Sequence, residues 1–216
     1  MIITIDGPAG AGKSTVAKRL AALLGFDYLD TGAMYRAVAL CGLRKNVNWD
    51  NPGELVAIAE GMQIRVESGQ IFVDGEDVSD AVRSADVTET TRFAANNPAI
   101  RAMMVRRQQA TTRCKNIVTE GRDQGTAVFP NAECKIYLTA TPEERTMRRM
   151  QEYEQRGEKA DFDEILQQIN RRDADDRARE VGPLCEPPDA VRIVTDGMTI
   201  DEVVAKLAGI VESRRR

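Results

Sequence analysis

The sequence predicts an α/β fold built on a five-stranded parallel sheet, and three observations predict it. A phosphate-binding loop, Gly7-Pro8-Ala9-Gly10-Ala11-Gly12-Lys13-Ser14, lies between an apolar strand and a helix with the spacing G-x-x-x-x-G-K-[ST]. Four more short apolar runs alternate with helical patterns along the 216 residues. One stretch, 62–80, breaks that alternation with period-two patterning and turn residues, which marks a small antiparallel insertion.

Ile2-Ile3-Thr4-Ile5-Asp6 is the first strand. The helix after the loop covers 13–24, with Val16, Leu20, Leu23 and Leu24 as its apolar stripe and Gly25 as its stop. A second strand covers 26–30, and a helix over 31–44 begins near Asp30-Thr31-Gly32. Asn51-Pro52 reads as an N-cap followed by proline in the first turn, opening a helix to about Glu60. In the insertion, Ile64 and Val66 alternate with polar residues, Ser68-Gly69 turns the chain, and Ile71 and Val73 alternate again. Asp74-Gly75 then precedes a third strand near Asp77. Helical patterns resume over 80–95 and from Asn97-Pro98 to about Arg113. Strands at 116–120 and 134–140 follow. Thr141-Pro142-Glu143-Glu144 combines an N-cap, a proline and a capping-box glutamate at the head of a helix to about Arg156. Asp161 caps another helix, reaching about Glu180. Gly182-Pro183 and Pro187-Pro188 form a loop before the last strand, 191–194. Thr199 with Glu202 is a second capping box, opening the C-terminal helix. Five buried strands alternating with helices require a parallel sheet covered on both faces, with the phosphate-binding loop at a strand's carboxyl end.

Composition narrows the function. At 42% hydrophobic and 30% charged residues, the chain has the makings of one sizeable core in a soluble protein. No run approaches the ~18 apolar residues of a membrane span, and a first strand beginning at Ile2 leaves no room for a leader, so the expected location is the cytoplasm with no membrane partner. Cys41, Cys114, Cys134 and Cys185 are widely spaced without a C-x-x-C pair, and read as thiols of a reducing compartment rather than a disulfide frame or zinc site. The net charge of −4 argues against a nucleic-acid partner, and the Arg214-Arg215-Arg216 tail reads as a frayed, solvated end. The chain has no histidine. Its chemistry must therefore rest on Arg, Lys, Asp, Glu, backbone dipoles and a bound metal.

In the phosphate-binding loop the glycines let several N–H groups converge, and the following helix adds free donors and the positive end of its dipole. Lys13 then reaches the β/γ-phosphates of a nucleoside triphosphate and Ser14 coordinates its Mg²⁺ directly. Gly7, Pro8, Ala9, Gly10, Ala11, Gly12 and Thr15 complete that binding segment. The N-K-x-D segment of guanine-binding switches is missing. Instead, Arg36, Arg101, Arg122, Arg145, Arg148, Arg149, Arg172 and Arg179 are scattered through the segments that follow the strands. That distribution suits a second anionic substrate, because phosphoryl transfer mainly needs charge neutralisation. Arg172, Asp176 and Arg179 fall at i, i+4 and i+7 and continue the stripe of Ile165 and Ile169, as in a helix passing from core to a cleft for an anion. The competing reading is a solvated face laced by Arg172–Asp176 and Asp175–Arg179 pairs. Arg122-Asp123 follows Gly121 at the edge where open α/β sheets bind ligands, although a loop salt bridge also fits. Arg145, Arg148 and Arg149 share one side of a helix leading to Arg156-Gly157; a solvated face is the competing reading, and Arg148 and Arg149 are assigned to the donor phosphates.

Four segments together resemble the bacterial-type cytidylate kinases: GPAGAGKST at 7–15, DTGAMYR at 30–36, EGRDQGTAVFP at 120–130 and RRDADDRARE at 171–180. The first is generic to a superfamily, whereas the last two are far more specific and stand in the right order and spacing. The resemblance runs from the first strand to the last helix. It implies a P-loop kinase fold with a five-stranded parallel sheet, a small antiparallel insertion and a helical lid. One nucleoside monophosphate kinase domain is implied, with its core at 1–61, 81–144 and 181–216, an acceptor-side insertion at about 62–80 and a lid at about 145–165. The implied activity is transfer of the γ-phosphoryl group of ATP to CMP or dCMP with Mg²⁺, in pyrimidine nucleotide metabolism, and the expected enzyme is a monomer. By position, Arg36, Arg122 and Arg179 would hold the acceptor's 5′-phosphate, with Thr31 and Tyr35 beside the nucleotide. Arg101 and Asp123 would read the cytosine edge, and Arg172 and Asp176 would contact the sugar. Lys13, Arg122 and Arg179 form the implied catalytic set, and Glu120 stands near the Mg²⁺ water shell. Where the resemblance implies a small hydroxyl residue near the base, this chain has Arg92, with Thr91 or Thr90 as its substitute. A kinase of another small acceptor (UMP, shikimate) and a nucleotide-binding sensor or hydrolase are the alternatives.

Overall fold

The computed structural model describes residues 1–67 and 69–215. Strand β1 (Ile2–Asp6), helix α1 (Lys13–Leu24), β2 (Asp27–Asp30), α2 (Thr31–Arg44) and α3 (Pro52–Gly61) lead into a hairpin and a short third strand, β3 (Ile64–Glu67), β4 (Gln70–Val73) and β5 (Glu76–Asp77). Helices α4 (Ala85–Ala95) and α5 (Pro98–Thr111) precede β6 (Ile117–Gly121) and β7 (Cys134–Thr139). Helices α6 (Pro142–Gln155) and α7 (Phe162–Arg177), strand β8 (Val191–Val194) and helix α8 (Ile200–Arg214) complete the chain. Five strands form one parallel sheet in the order β2-β6-β1-β7-β8, and β3-β4-β5 form a separate antiparallel sheet, so both predicted sheets are present.

Strand β1 is central and mostly apolar, with Ile2, Ile3 and Ile5, because helices cover both faces of the sheet. On one face Ile3, Ile5, Val118, Ile136 and Leu138 pack with Val16 and Leu20 of α1 and Leu207 of α8. On the other, Leu29 and Ile117 pack with Met34 and Val38 of α2 and Ile100 and Met104 of α5, and Ile71 and Val73 of the small sheet join the same cluster. Arg44 of α2 also holds that sheet through both carboxylate oxygens of Glu76, at 2.7 and 2.8 Å. Of the predicted turn at Ser68-Gly69, Ser68 lies outside the described residues.

Several local expectations are corrected. Helix α1 buries Val16, Ala17, Leu20 and Ala21, whereas Leu23 is 62% exposed. At ~100° per residue Leu23 points about 90° away from the centre of that face. Helix α4 starts at Ala85, not near 80, because Ser84 caps it by accepting from the Val87 N–H and a 3₁₀ turn occupies Ala81–Arg83. Helix α7 stops at Arg177 rather than near Glu180, and the Leu184 N–H then returns to the Asp176 carbonyl at 2.8 Å. The capping box at Thr141 is half formed. Thr141 Oγ1 accepts from the Glu144 N–H, but the Thr141 N–H goes to Asp196 at 2.9 Å and Glu144 turns to Arg148. The box at Thr199 and Glu202 is complete. Of the predicted frayed, solvated end, Arg214 and Arg215 are exposed as expected, but Arg214 still belongs to α8 and the Arg215 guanidinium lies 4.8 Å from the Phe26 ring. Arg216 lies outside the described residues. All four cysteines are free thiols, Cys41 and Cys134 buried, Cys114 and Cys185 exposed.

The central strand delivers the phosphate-binding loop to the carboxyl edge of the sheet. Gly7 makes that turn possible, since a Cβ there would sit 1.9 Å from the Leu138 carbonyl oxygen of the neighbouring strand.

Candidate active site

A cavity of about 780 Å³ opens at the carboxyl edge of the sheet, and every site residue predicted from the sequence lines it except Gly7 and Pro8. Gly7 is pressed against β7, and the Pro8 carbonyl accepts from Lys13 Nζ at 2.6 Å. Helix α1 starts at Lys13 without a side-chain cap, so its first-turn N–H groups are free to meet an anion. Lys13 is only 5% exposed. Its burial, and next the charge of Arg122, push the ammonium down to about 7. A bound triphosphate supplies the missing counter-charge and raises that value again. At pH 8 the free protein therefore holds Lys13 largely neutral and the complex holds it charged, so ATP binding is expected to take up a proton and to weaken as pH rises above about 7. Titration calorimetry at pH 8 in two buffers of different ionisation heat reads this uptake. Lys13→Met is expected to abolish it, and equal heats in both buffers for the native protein refute it.

Next to the lysine, Ser14 Oγ donates to Glu120 Oε1 at 2.8 Å, and Thr31 Oγ1 donates to the Glu120 backbone carbonyl at 2.7 Å. A hydroxyl and a carboxylate side by side are hard oxygen donors. Among the described residues no group of three His, Cys, Asp or Glu side chains could hold a metal. As hard oxygen donors, the Ser14 hydroxyl and Glu120 carboxylate fit Mg²⁺, which takes one or two protein oxygens and completes its shell with phosphate and water.

Asp6, the last residue of β1, is a site-shaping residue that the sequence reading missed. Its Oδ1 accepts from the Gln124 N–H at 2.8 Å and its Oδ2 from the Gly125 N–H at 2.7 Å. It thereby fixes the π-helical turn Gln124–Val128 that follows Arg122 and Asp123. A Cβ on Gly125 would lie 3.2 Å from that carboxylate and 2.9 Å from Thr4 Oγ1, so the close approach depends on glycine. Burial pushes the Asp6 carboxyl up to about 7 against the pull of the two amides. Its sequence signal is an acid ending an otherwise apolar strand.

The other half of the cavity is dominated by arginine. Asp176 Oδ2 accepts from Arg122 Nε at 2.7 Å, and Asp176 Oδ1 pairs with Arg179. The Arg172–Asp176 and Asp175–Arg179 pairs of the solvated-face reading do not form among the described residues. Burial works to raise the Asp176 carboxyl, but Arg122 and Arg179 outweigh it and hold it below the usual range. Arg179 Nε also donates to Asn96 Oδ1 at 2.9 Å, while Arg36, Arg149 and Arg172 have no carboxylate partner among the described residues. Arg101 and Asp123, 3% and 5% exposed, pair with each other. The Arg101 guanidinium lies 5.5 Å from the Tyr35 ring centroid, its Nη1 reaches the Ala95 carbonyl, and its buried Nε has no partner. Thr91, not Arg92, lines the cavity; Arg92 turns onto the Phe93 ring.

At the far end Arg148 donates to the Thr195 carbonyl at 2.7 Å and to Thr195 Oγ1 at 3.1 Å, joining α6 to the loop before α8. Met198, Ile200 and Val203 continue that wall. Sequence reasoning passed over them because apolar residues at a helix start look like core. Arg83 also faces the cavity unannounced by any motif.

A phosphate cradle at the end of a central parallel strand, joined to a separate arginine-lined compartment, belongs to the class of P-loop phosphotransferases acting on small molecules. Residues 3–213 match the family model for cytidylate kinase. The chain is 48% identical over 203 residues to the cytidylate kinase of Rhodopirellula baltica, covering 94% of this chain and 89% of that relative. It is 45% identical over 216 residues to the cytidylate kinase of Anoxybacillus flavithermus, covering 98% and 96%. The chain belongs to the cytidylate kinase family. A likeness in fold alone links it to the crystal structure of an uncharacterized protein from Eubacterium ventriosum, with a TM-score of 0.54 at 15% identity over 99% of this chain and 98% of that one.

Proposed function

We propose that this chain transfers the γ-phosphoryl group of ATP to CMP or dCMP, releasing ADP and CDP or dCDP. The observation that carries the reading is the joining, in one cavity, of the Lys13 phosphate cradle with the buried Arg101–Asp123 pair and the Arg122–Asp176–Arg179 cluster. Loop N–H groups from Gly10 to Thr15 hold the donor phosphates, with Arg148 and Arg149 on the donor side. Arg36, Arg122 and Arg179 hold the acceptor 5′-phosphate in line. An acceptor phosphate oxygen forms the new bond to γ-phosphorus while the bond to the β–γ bridging oxygen breaks, and ADP leaves with that electron pair. The acceptor is already ionised near neutral pH, so no general base is needed, which suits a chain without histidine. Lys13 follows the charge that develops on the β–γ bridge. Ser14 directly, and Glu120 through water, would hold Mg²⁺, which supplies charge neutralisation on the β- and γ-phosphates. Asp123 and Arg101 read cytosine, Tyr35, Thr31 and Thr91 flank the nucleotide, and Arg172 and Asp176 meet the sugar. The 62–80 insertion serves the acceptor side, and a lid within about 145–165 closes over the phosphates and excludes water. No helix among the described residues is long and apolar enough to cross a membrane, and together with the small-molecule substrates this supports a cytoplasmic enzyme of pyrimidine nucleotide metabolism.

ADP release with CMP, dCMP, UMP, shikimate or no acceptor tests the reading. Rapid release only with the cytidine nucleotides is expected. Faster release with UMP or shikimate reassigns the acceptor, and release independent of any acceptor makes the protein a hydrolase. Neutral substitution of Arg36, Arg122 or Arg179 is expected to weaken CMP binding by about 1.5–3 kcal/mol while leaving ATP binding alone nearly unchanged. Equal loss of ATP affinity in direct titration moves these arginines to the donor side.

A further inference from the structure

Arg145 and Asp173 form an ion pair with side chains 3% and 4% exposed, and the chemistry proposed above does not use it. The guanidinium grips the carboxylate with both ends, Nη1 to Oδ1 at 3.1 Å and Nη2 to Oδ2 at 2.7 Å. Nη1 also donates to the carbonyl of Ala9 inside the phosphate-binding loop at 3.0 Å, and Nε donates to the carbonyl of Ala140 at the end of β7, at 3.1 Å. The arginine stem backs the same loop, since a Cβ on Gly10 would meet Arg145 Cβ at 3.4 Å. Asp173 sits three residues before Asp176 on the buried stripe that starts with Ile165 and Ile169. One buried side chain thus touches the donor loop, the sheet edge and the helix that carries Asp176.

A buried ion pair adds little stability over well-packed apolar residues of like volume. What a bidentate fork supplies is fixed position and orientation. We propose that Arg145 and Asp173 are positioning residues: they lock the phosphate-binding loop to α7 and so set the distance between the γ-phosphoryl group and the acceptor phosphate. This inference rests on the proposed function. It also places any moving part of the lid beyond Arg145, since Arg145 itself is pinned in the core.

A misplacement of about 1 Å between reacting groups costs on the order of 10²-fold in rate. Three full-length variants test the lock: Arg145→Lys, which keeps the charge and loses the fork, Asp173→Asn, and the apolar pair Arg145→Met with Asp173→Leu. For each, circular dichroism reports folding, direct titration gives the Kd of ATP and of CMP separately, and single-turnover transfer is measured at saturation of both. Expected are binary Kd values within about threefold of native and a transfer rate lower by a factor on the order of 10² in every folded variant. A purely structural role lowers the melting temperature and leaves the transfer rate of the folded protein unchanged, which overturns the proposal. A fall in ATP affinity matching the fall in rate also overturns it, making Arg145 a donor ligand. If Asp173→Asn does not fold, Arg145→Lys and the apolar pair carry the same comparison. Native protein that fails to phosphorylate CMP sinks the proposed function and this inference with it, whereas active native protein with variants equally fast sinks the lock alone.

Discussion

Lys13→Ala is expected to lower kcat with CMP by a factor on the order of 10²–10³, the scale seen when one preorganised charge contact to a transition state is removed. Lys13 begins α1, is held over the loop by the Pro8 carbonyl and is almost wholly buried at the cavity wall. The uncapped N–H groups of α1 and the loop remain in the variant, so ground-state binding of ATP survives better than transfer. The loss should therefore fall mainly on kcat, the signature of an interaction strengthened in the transition state. A folded Lys13→Ala protein that keeps CMP-dependent activity within about threefold of native shows that another group carries this charge.

Native enzyme is expected to prefer CMP to UMP in kcat/KM by a factor on the order of 10²–10⁴. Asp123 and Arg101 are almost wholly buried, and Asp123 gives one oxygen to Arg101, leaving the other for a ligand. Cytosine offers its N4 amino group to that oxygen, with Arg101 donating to O2 and N3. Uracil presents O4 in the same place, so two acceptors face each other where no water can intervene, and a site built on hydrogen bonds rejects such an analogue strongly. Asp123→Ala should lose most of its activity with CMP and much less with UMP, shrinking the ratio. Measuring kcat/KM for both nucleotides with both proteins decides it. An unchanged ratio moves base recognition elsewhere, with Thr91 as the next residue to test.

Local patterns were the legible part of this chain. The phosphate-binding loop, the five apolar strands, the hairpin and the complete Thr199–Glu202 box all depend on residues close together in sequence, and each appears where its spacing put it. Some expectations failed for local reasons, as with Leu23 and the start of α4, and others where another partner competed for a local group. Asp196 took the Thr141 N–H that a capping box would have filled, and the turn back to Leu184 ended α7 early. The charged stripe of α7 marks a change of environment that the sequence shows, but not its pairing, because Arg122, directly after β6 and 54 residues away in sequence, claims Asp176.

The sequence by itself determined the α/β class, the place of the phosphate-binding loop and the phosphate-binding residues that line one end of the cavity, but not Arg83, Met198, Ile200 or Val203. A turn, a period or a motif encodes these within a few residues, through sterics and hydrophobic patterning that act over one or two turns of chain. Only the tertiary structure decided what those side chains touch. It put Asp6 under the 124–125 amides, closed Arg101 on Asp123, and drew Arg145 inside to join Ala9 with Asp173. Such contacts join residues 22 to 136 positions apart. A buried polar group must find a partner wherever the fold brings one within about 3 Å, and sequence spacing carries no record of that meeting.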